Sequence, residues 1–120
     1  MVVAILDSGV SVATAPGTDG FCHPLAGEYD AWIAGCGHAG DGNVHLGIFC
    51  GDDERRSRLL TALFSAGIEL GGAISGEHGI GEAKQAYFLE LEDPAKIALM
   101  SRIKAAFDPD GILNPNTLLG

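Results

Sequence analysis

The stretch VHLGIFC (residues 44–50) alternates between two kinds of position, as a β-strand with one buried face does. Val44, Leu46 and Ile48 share one face and are all aliphatic, which predicts that this face packs into a core. The opposite face carries His45, Gly47 and Phe49. Because a glycine follows the histidine on that face, we expect room beside His45 for something other than a side chain.

The segments before this strand have weaker signals. Residues 31–34 are apolar and lead into Gly35-Cys36-Gly37, which predicts a strand that ends in a glycine-rich turn. Residues 2–6 could form another short strand. Residues 8–28 scatter Gly, Pro, Ser and Thr without the periodicity of a strand or a helix, so we expect irregular chain there.

Three helices are predicted after the strands. Asp52 or Asp53 caps the first, which should run for about 16 to 19 residues and stop at the glycines 71–72. A shorter helix is predicted over residues 82–91, and Asp93 with Pro94 begins the last one. The last helix is expected to bury an apolar stripe, formed by Leu99, Met100, Ile103 and Phe107. Together these elements predict an α+β fold, a small antiparallel sheet covered on one face by helices.

Composition limits the possible partners. The chain has 120 residues, of which 47% are hydrophobic, enough for one modest core. Its net charge of −9 argues against a nucleic-acid partner, because repulsion from the phosphates would oppose every contact. The charge of an anionic substrate would have to be met locally by a cation or a metal ion.

Cysteine usage and hydropathy bear on location. Cys22, Cys36 and Cys50 are odd in number and form no C-x-x-C motif, which predicts reduced thiols and a cytoplasmic protein, or an organelle matrix in a eukaryote. For Cys36 a buried thiol is expected, with the alternative that it points to the same side as His38 if the chain is extended there. No apolar run approaches the roughly 20 residues of a membrane span.

Two glycine-framed motifs, GHAGDGNVH (residues 37–45) and SGEHGIG (residues 75–81), hold three of the four histidines. His38, His45 and Glu77 offer two imidazoles and a carboxylate, a donor set suited to zinc, manganese or non-haem iron. Adjacent side chains diverge in an extended loop, so His78 should face the reacting group and could accept a proton from it.

Each of these residues also has an ordinary structural interpretation. His38 and His45 could be hydrogen-bonded histidines without a ligand, and His78 could cap a helix or bond a carbonyl group. Lys84 could meet a substrate carboxylate or be a solvated surface lysine. The G-x-G-x-x-G pattern at residues 35–40 does not indicate a dinucleotide fold, because a strand rather than a helix follows it.

The motifs at residues 37–45, 75–84 and 107–115, taken in order, resemble the C-terminal portion of FAD-linked 2-hydroxy acid dehydrogenases and oxidases of the vanillyl-alcohol-oxidase type. This group includes D-lactate dehydrogenase, the glycolate oxidase flavoprotein subunit and D-2-hydroxyglutarate dehydrogenase. The resemblance implies part of a ferredoxin-like substrate domain followed by a C-terminal helical return. It also implies oxidation of a small anionic 2-hydroxy acid to the 2-oxo acid, with FAD as hydride acceptor.

The resemblance assigns roles to residues. His38, His45 and Glu77 would be the ligands of a divalent metal (Zn, Mn or Fe), and His78 would be the base that removes the hydroxyl proton. The remaining assignments are Asn43 and Asn114 near the flavin, and Lys84 as the candidate contact for the substrate carboxylate.

Two departures from the family pattern shape the expected organisation. A chain of 120 residues has no room for the family's large FAD-binding domain, and residues 1–34 do not resemble the family. We therefore expect an irregular segment at 1–34 and a partial oxidase C-terminal domain at 35–120, inactive alone. Alternatives are a non-catalytic fragment, a partner module of a separate FAD-binding chain, or a small metal-dependent hydrolase that uses the same side chains.

Overall fold

The computed structural model describes residues 5–8, 19–38 and 42–119, and the side chains of 24–37 and 42–119. The elements follow in the order β1 (Ile5–Ser8), α1 (Asp19–Glu28), β2 (Trp32–His38), β3 (Asn43–Phe49), α2 (Asp53–Glu69), α3 (Gln85–Leu91) and α4 (Pro94–Phe107). This is the predicted α+β fold. The chain divides into two compact units, residues 1–79 and 80–120, which are described separately. None of the helices in the described ranges is long and apolar enough to cross a membrane.

The first unit contains a three-stranded antiparallel sheet in the order β1-β3-β2. The register pairs Cys36 with His45, and the next same-face pair along the strands is Ala34 with Gly47. The aliphatic face of β3 is buried, as its alternation predicts, and forms the core with side chains from α2 and the following loop. The buried core residues of this unit are Val44, Leu46, Ile48, Leu59, Leu60, Leu63, Phe64 and Ile74.

Strand β2 runs further than predicted. It continues through Gly35 and Gly37 to His38 instead of turning at residue 35. The glycines are required there because the backbone of β3 lies close by. A Cβ on Gly37 would overlap the carbonyl oxygen of Asn43 and lie 3.2 Å from the Cα of Val44. The predicted turn is therefore wrong, and the glycines mark close strand pairing.

The N-terminal part of the chain is more regular than predicted. The strand expected at residues 2–6 is found at 5–8, and residues 2–4 and 9–18 lie outside the described part. The expectation of irregular chain over residues 8–28 is wrong for 19–28, which form α1 and pack with β2 and α2. Helix α1 contains Gly20, Pro24 and Gly27. Because glycine and proline weaken or interrupt helices, no helix was predicted there.

Helix α2 confirms the capping prediction. The side chain of Asp52 accepts a hydrogen bond from the backbone N–H of Arg55 at 2.7 Å, which satisfies one of the free donors at the helix start. The helix spans 17 residues and ends at Glu69, before Gly71 adopts a positive φ of 83°.

In the second unit, α3 confirms the helix predicted over 82–91, beginning three residues later. Helix α4 begins as predicted, with Asp93 accepting a hydrogen bond from the N–H of Ala95 at 2.8 Å. The burial prediction for α4 is wrong: Leu99, Ile103 and Phe107 are 47%, 50% and 82% exposed. An apolar stripe identifies the face of a helix that avoids water but not the element that covers it.

The chain after α4 is held by Asp108, whose side chain is only 3% exposed. Its carboxylate accepts hydrogen bonds from the N–H groups of Ile112 and Leu113 at 3.0 Å each, and it forms an ion pair with Lys104. The hydrogen bond from Lys104, reinforced by the two backbone donors, lowers the pKa of Asp108 below its ordinary value.

Candidate functional site

Three of the predicted site residues, His45, Glu77 and His78, lie together in the first unit. Strand β3 presents His45 on the face opposite the core, and the loop after α2 brings in the other two. The Nε2 atom of His45 lies 3.1 Å from Oε1 of Glu77, and Nε2 of His78 lies 3.5 Å from the same oxygen. The two imidazole rings stack, with centroids 4.9 Å apart and planes at 28°. One donor atom from each residue lies within 4.8 Å of the others.

The loop that carries Glu77 and His78 is bent rather than extended. The hydroxyl of Ser75 donates a hydrogen bond to the carbonyl oxygen of Gly79 at 2.9 Å, and Gly79 adopts a φ of 75° that favours glycine. The bend brings His78 within 3.5 Å of the carboxylate beside it, so the expected divergence of the two side chains is not observed.

The cluster opens onto a cavity of about 520 Å³. His45 is 15% exposed at the sheet surface, whereas the side chains of Glu77 and His78 are each 46% exposed and reachable by a ligand. Other walls of the cavity include Ala34, Cys36 and Gly47. The site therefore combines one group of polar side chains with a surface of small residues on the two paired strands.

Ala34 and Cys36 were not predicted as walls of a cavity. Cys36 was expected to be buried, but it is exposed and lines the cavity, directly opposite His45 in the sheet register. The prediction failed because Gly35 and Gly37 suggested a turn. Had residues 32–38 been recognised as one strand, its alternation would have placed Ala34 and Cys36 on a shared face.

The charged side chains of the cavity bear on the ligands that it can hold. Neither lysine nor arginine occurs among the described residues that line it, whereas Glu77 contributes a carboxylate. An anionic ligand entering alone would be repelled by that carboxylate. A divalent ion held by Glu77 would reverse the local charge and attract the same ligand.

The structure does not bring every predicted residue to this cluster. His38 is the last residue of β2 and pairs with Asn43 in the register, but its side chain lies outside the described part of the chain. Asn43 is buried at the start of β3. Lys84 and Asn114 belong to the second unit, where Lys84 precedes α3 and Asn114 lines a cavity of about 410 Å³. Their proposed roles remain predictions.

Comparison with known proteins identifies the family. The model of FAD linked oxidases, C-terminal domain, matches residues 1–118, a range that includes the first 34 residues, for which no resemblance was expected. An uncharacterised FAD-linked oxidoreductase of Mycobacterium tuberculosis is 55% identical over 116 residues, covering 97% of this chain and 25% of the relative. The glycolate oxidase subunit GlcD of Bacillus subtilis is 43% identical over 101 residues, covering 78% of this chain and 21% of the relative.

A D-lactate dehydrogenase of Archaeoglobus fulgidus is 39% identical over 120 residues, covering 98% of this chain and 27% of the relative. The chain thus spans about a quarter of the length of these relatives. FAD is the cofactor that the family implies. Because the family model covers nearly the whole sequence, the chain belongs to the FAD linked oxidases, as their C-terminal domain.

Proposed function

We propose that this chain forms the metal- and substrate-binding side of the active site of an FAD-dependent enzyme that oxidises a small 2-hydroxy acid to the 2-oxo acid. The observation that carries the proposal is the convergence of His45, Glu77 and His78 on one cavity. The relatives named as a glycolate oxidase subunit and a D-lactate dehydrogenase support the substrate class.

His45 and Glu77 would hold a divalent metal, with His38 as the third ligand. The donor set fits zinc, manganese or iron, since imidazole nitrogen and carboxylate oxygen are accepted by all three. The charge of the cavity supports the same assignment, because its described lining includes the carboxylate of Glu77 and no lysine or arginine. The metal would supply positive charge that orients the carboxylate and hydroxyl oxygens of the substrate.

His78 would act as the general base. It lines the cavity and is half exposed, so a ring nitrogen can accept the hydroxyl proton of a bound hydroxy acid. FAD, when bound, supplies the acceptor for the hydride that leaves C2 as the carbonyl group forms. Lys84 would contribute charge for the substrate carboxylate.

The flavin would be held mainly by protein outside this sequence, in the same chain or in a separate one. The share of the relatives that this chain spans, about a quarter, supports this division. Asn43 and Asn114 are the residues proposed to approach the flavin. Asn114 lines the cavity of the second unit together with apolar residues that include Phe107 and Leu113. The chain alone is expected to lack dehydrogenase activity.

A calorimetric titration with Zn²⁺ and Mn²⁺ tests the metal proposal. We expect one divalent ion to bind per chain, and Glu77→Gln to weaken that binding by at least about tenfold, because the substitution removes a charged ligand. Glu69→Gln is the matched control, since Glu69 is exposed at the end of α2 and lies outside the cluster. Equal affinities in the wild type and both variants would refute the ligand assignment.

A further inference from the structure

The cavity has two chemically different ends along the strand pair β2–β3. His45, Glu77 and His78 form the polar end. Ala34 and Gly47 are the next same-face pair, and the register separates them from the Cys36–His45 pair by two residues on each strand. At the rise of an antiparallel strand this step is about 7 Å.

Ala34 and Gly47 form an apolar part of the cavity wall, here called the floor. It leaves space above the sheet because its side chains are a methyl group and a hydrogen atom. Beyond it, the next pair in the register is Trp32 with Phe49, whose ring centroids lie 4.7 Å apart. The surface leading away from the polar end is therefore first small and then aromatic. A ligand group over the floor would contact apolar atoms along its length.

Charge distinguishes the groups that this floor can accept. The described lining contains no lysine or arginine, and its one ionisable carboxylate belongs to Glu77. A second carboxylate on a ligand would be taken from water to an apolar surface without a partner, which is unfavourable. An alkyl or aryl group gains from the same transfer.

We propose that the substrate is a 2-hydroxy acid with an uncharged apolar side chain, which lies over Ala34 and Gly47 and points toward the Trp32–Phe49 pair. This inference rests on the proposed function, which places the hydroxyl and carboxylate groups at His45, Glu77 and His78. A benzyl side chain extends further from C2 toward the floor than the methyl group of lactate does. The cavity thereby selects against 2-hydroxy acids that carry a second carboxylate.

Calorimetric binding to the protein saturated with Zn²⁺ tests this selectivity without requiring turnover. The probes are glycolate, D-lactate, D-3-phenyllactate and D-2-hydroxyglutarate. We expect phenyllactate to bind at least about tenfold more tightly than glycolate, as burial of several apolar carbons predicts. We expect hydroxyglutarate to bind more weakly than lactate.

Substitution of Ala34 assigns the effect to the floor. Ala34→Lys should shift the affinity ratio of hydroxyglutarate to phenyllactate by at least about tenfold in favour of the dicarboxylate, through opposite-charge attraction. Ala98→Lys, on the exposed surface of α4, is the control for overall charge and should leave the ratio unchanged. Ala34→Leu fills the floor without a charge and should weaken only the phenyllactate complex, while glycolate binding reports that the fold is intact.

The proposed selectivity and the proposed function would be contradicted by different results. If glycolate and lactate bind but phenyllactate binds no more tightly, or if Ala34→Lys leaves the ratio unchanged, the selectivity is refuted and the proposed function stands. If neither glycolate nor lactate binds the metal-loaded protein, the proposed function fails and the selectivity fails with it.

Discussion

At the scale of single residues, Glu77 organises the candidate site. One of its oxygens lies 3.1 Å from His45 and 3.5 Å from His78, so two imidazoles approach the same carboxylate atom. The motifs showed which residue types were present, and the resemblance assigned them roles. The sequence could not show that Glu77, 32 positions after His45, would reach it, because that contact depends on the bend at residues 75–79.

The proposed ligand and base roles predict different effects for the two histidines. His45→Gln should lower the affinity for Zn²⁺ by at least about tenfold, because it removes a ligand. His78→Gln should change that affinity by less than about threefold, because a base beside the metal is not bound to it. Isothermal calorimetry on both variants measures this difference. Equal losses would make His78 a metal ligand and contradict its assignment as the base.

Asp108 predicts a pH dependence in the second unit. Its pKa is lower in the folded chain than in an unfolded one, mainly because Lys104 donates a hydrogen bond to it. Such a group adds stability above its unfolded pKa, and that stability is lost as the pH falls through the folded pKa, below about 4.

Asp108→Asn should therefore lower the melting temperature at neutral pH, and the difference from the wild type should shrink as the pH is lowered below about 4. Thermal melts followed by circular dichroism measure this convergence. Asp110→Asn is the control, since Asp110 is exposed in the same loop. A difference that stays constant from neutral to acid pH would rule out the proposed role of the Asp108 charge.

At the scale of elements, the starts of helices were predicted well, because a helix start depends on residues that are close in the sequence. The capping aspartates Asp52 and Asp93 marked the starts of α2 and α4, because a cap acts within one turn. Helix α1 and the second half of β2 were missed because glycine and proline, which are typical of turns, also occur inside helices and strands. Gly35 and Gly37 are typical of turns in sequence, yet here they permit two backbones to approach closely, a property of the pairing rather than of either strand.

The close pairing predicts a cost for any side chain at residue 37. Gly37→Ala should destabilise the first unit by roughly 1 to 3 kcal/mol, the usual range for forcing extra atoms into a packed region. The added Cβ would collide with the backbone of Asn43 and Val44. Chemical denaturation measures the change in the free energy of unfolding. Gly51→Ala, where an added Cβ meets nothing within 4 Å, should cost far less. Similar values for both variants would contradict the strand pairing.

At the scale of the whole molecule, the sequence predicted the fold class, and its motifs contained three side chains that the structure brings to one cavity. It did not predict how the apolar surface is distributed. The core of the first unit is buried as its alternation indicated, whereas α4 keeps Leu99, Ile103 and Phe107 exposed. The spacing of apolar residues in an element shows which face avoids water. Whether that face is buried depends on the element that packs against it, which the spacing does not identify.

We propose that the cavity beside His45 binds a 2-hydroxy acid through a divalent metal. A calorimetric titration of D-lactate into the purified chain, with and without one equivalent of Zn²⁺, tests it most directly. We expect saturable binding with the metal, none without it, and none to Glu77→Gln at the same metal concentration. Binding of equal strength with and without Zn²⁺, or no binding in either condition, would contradict it.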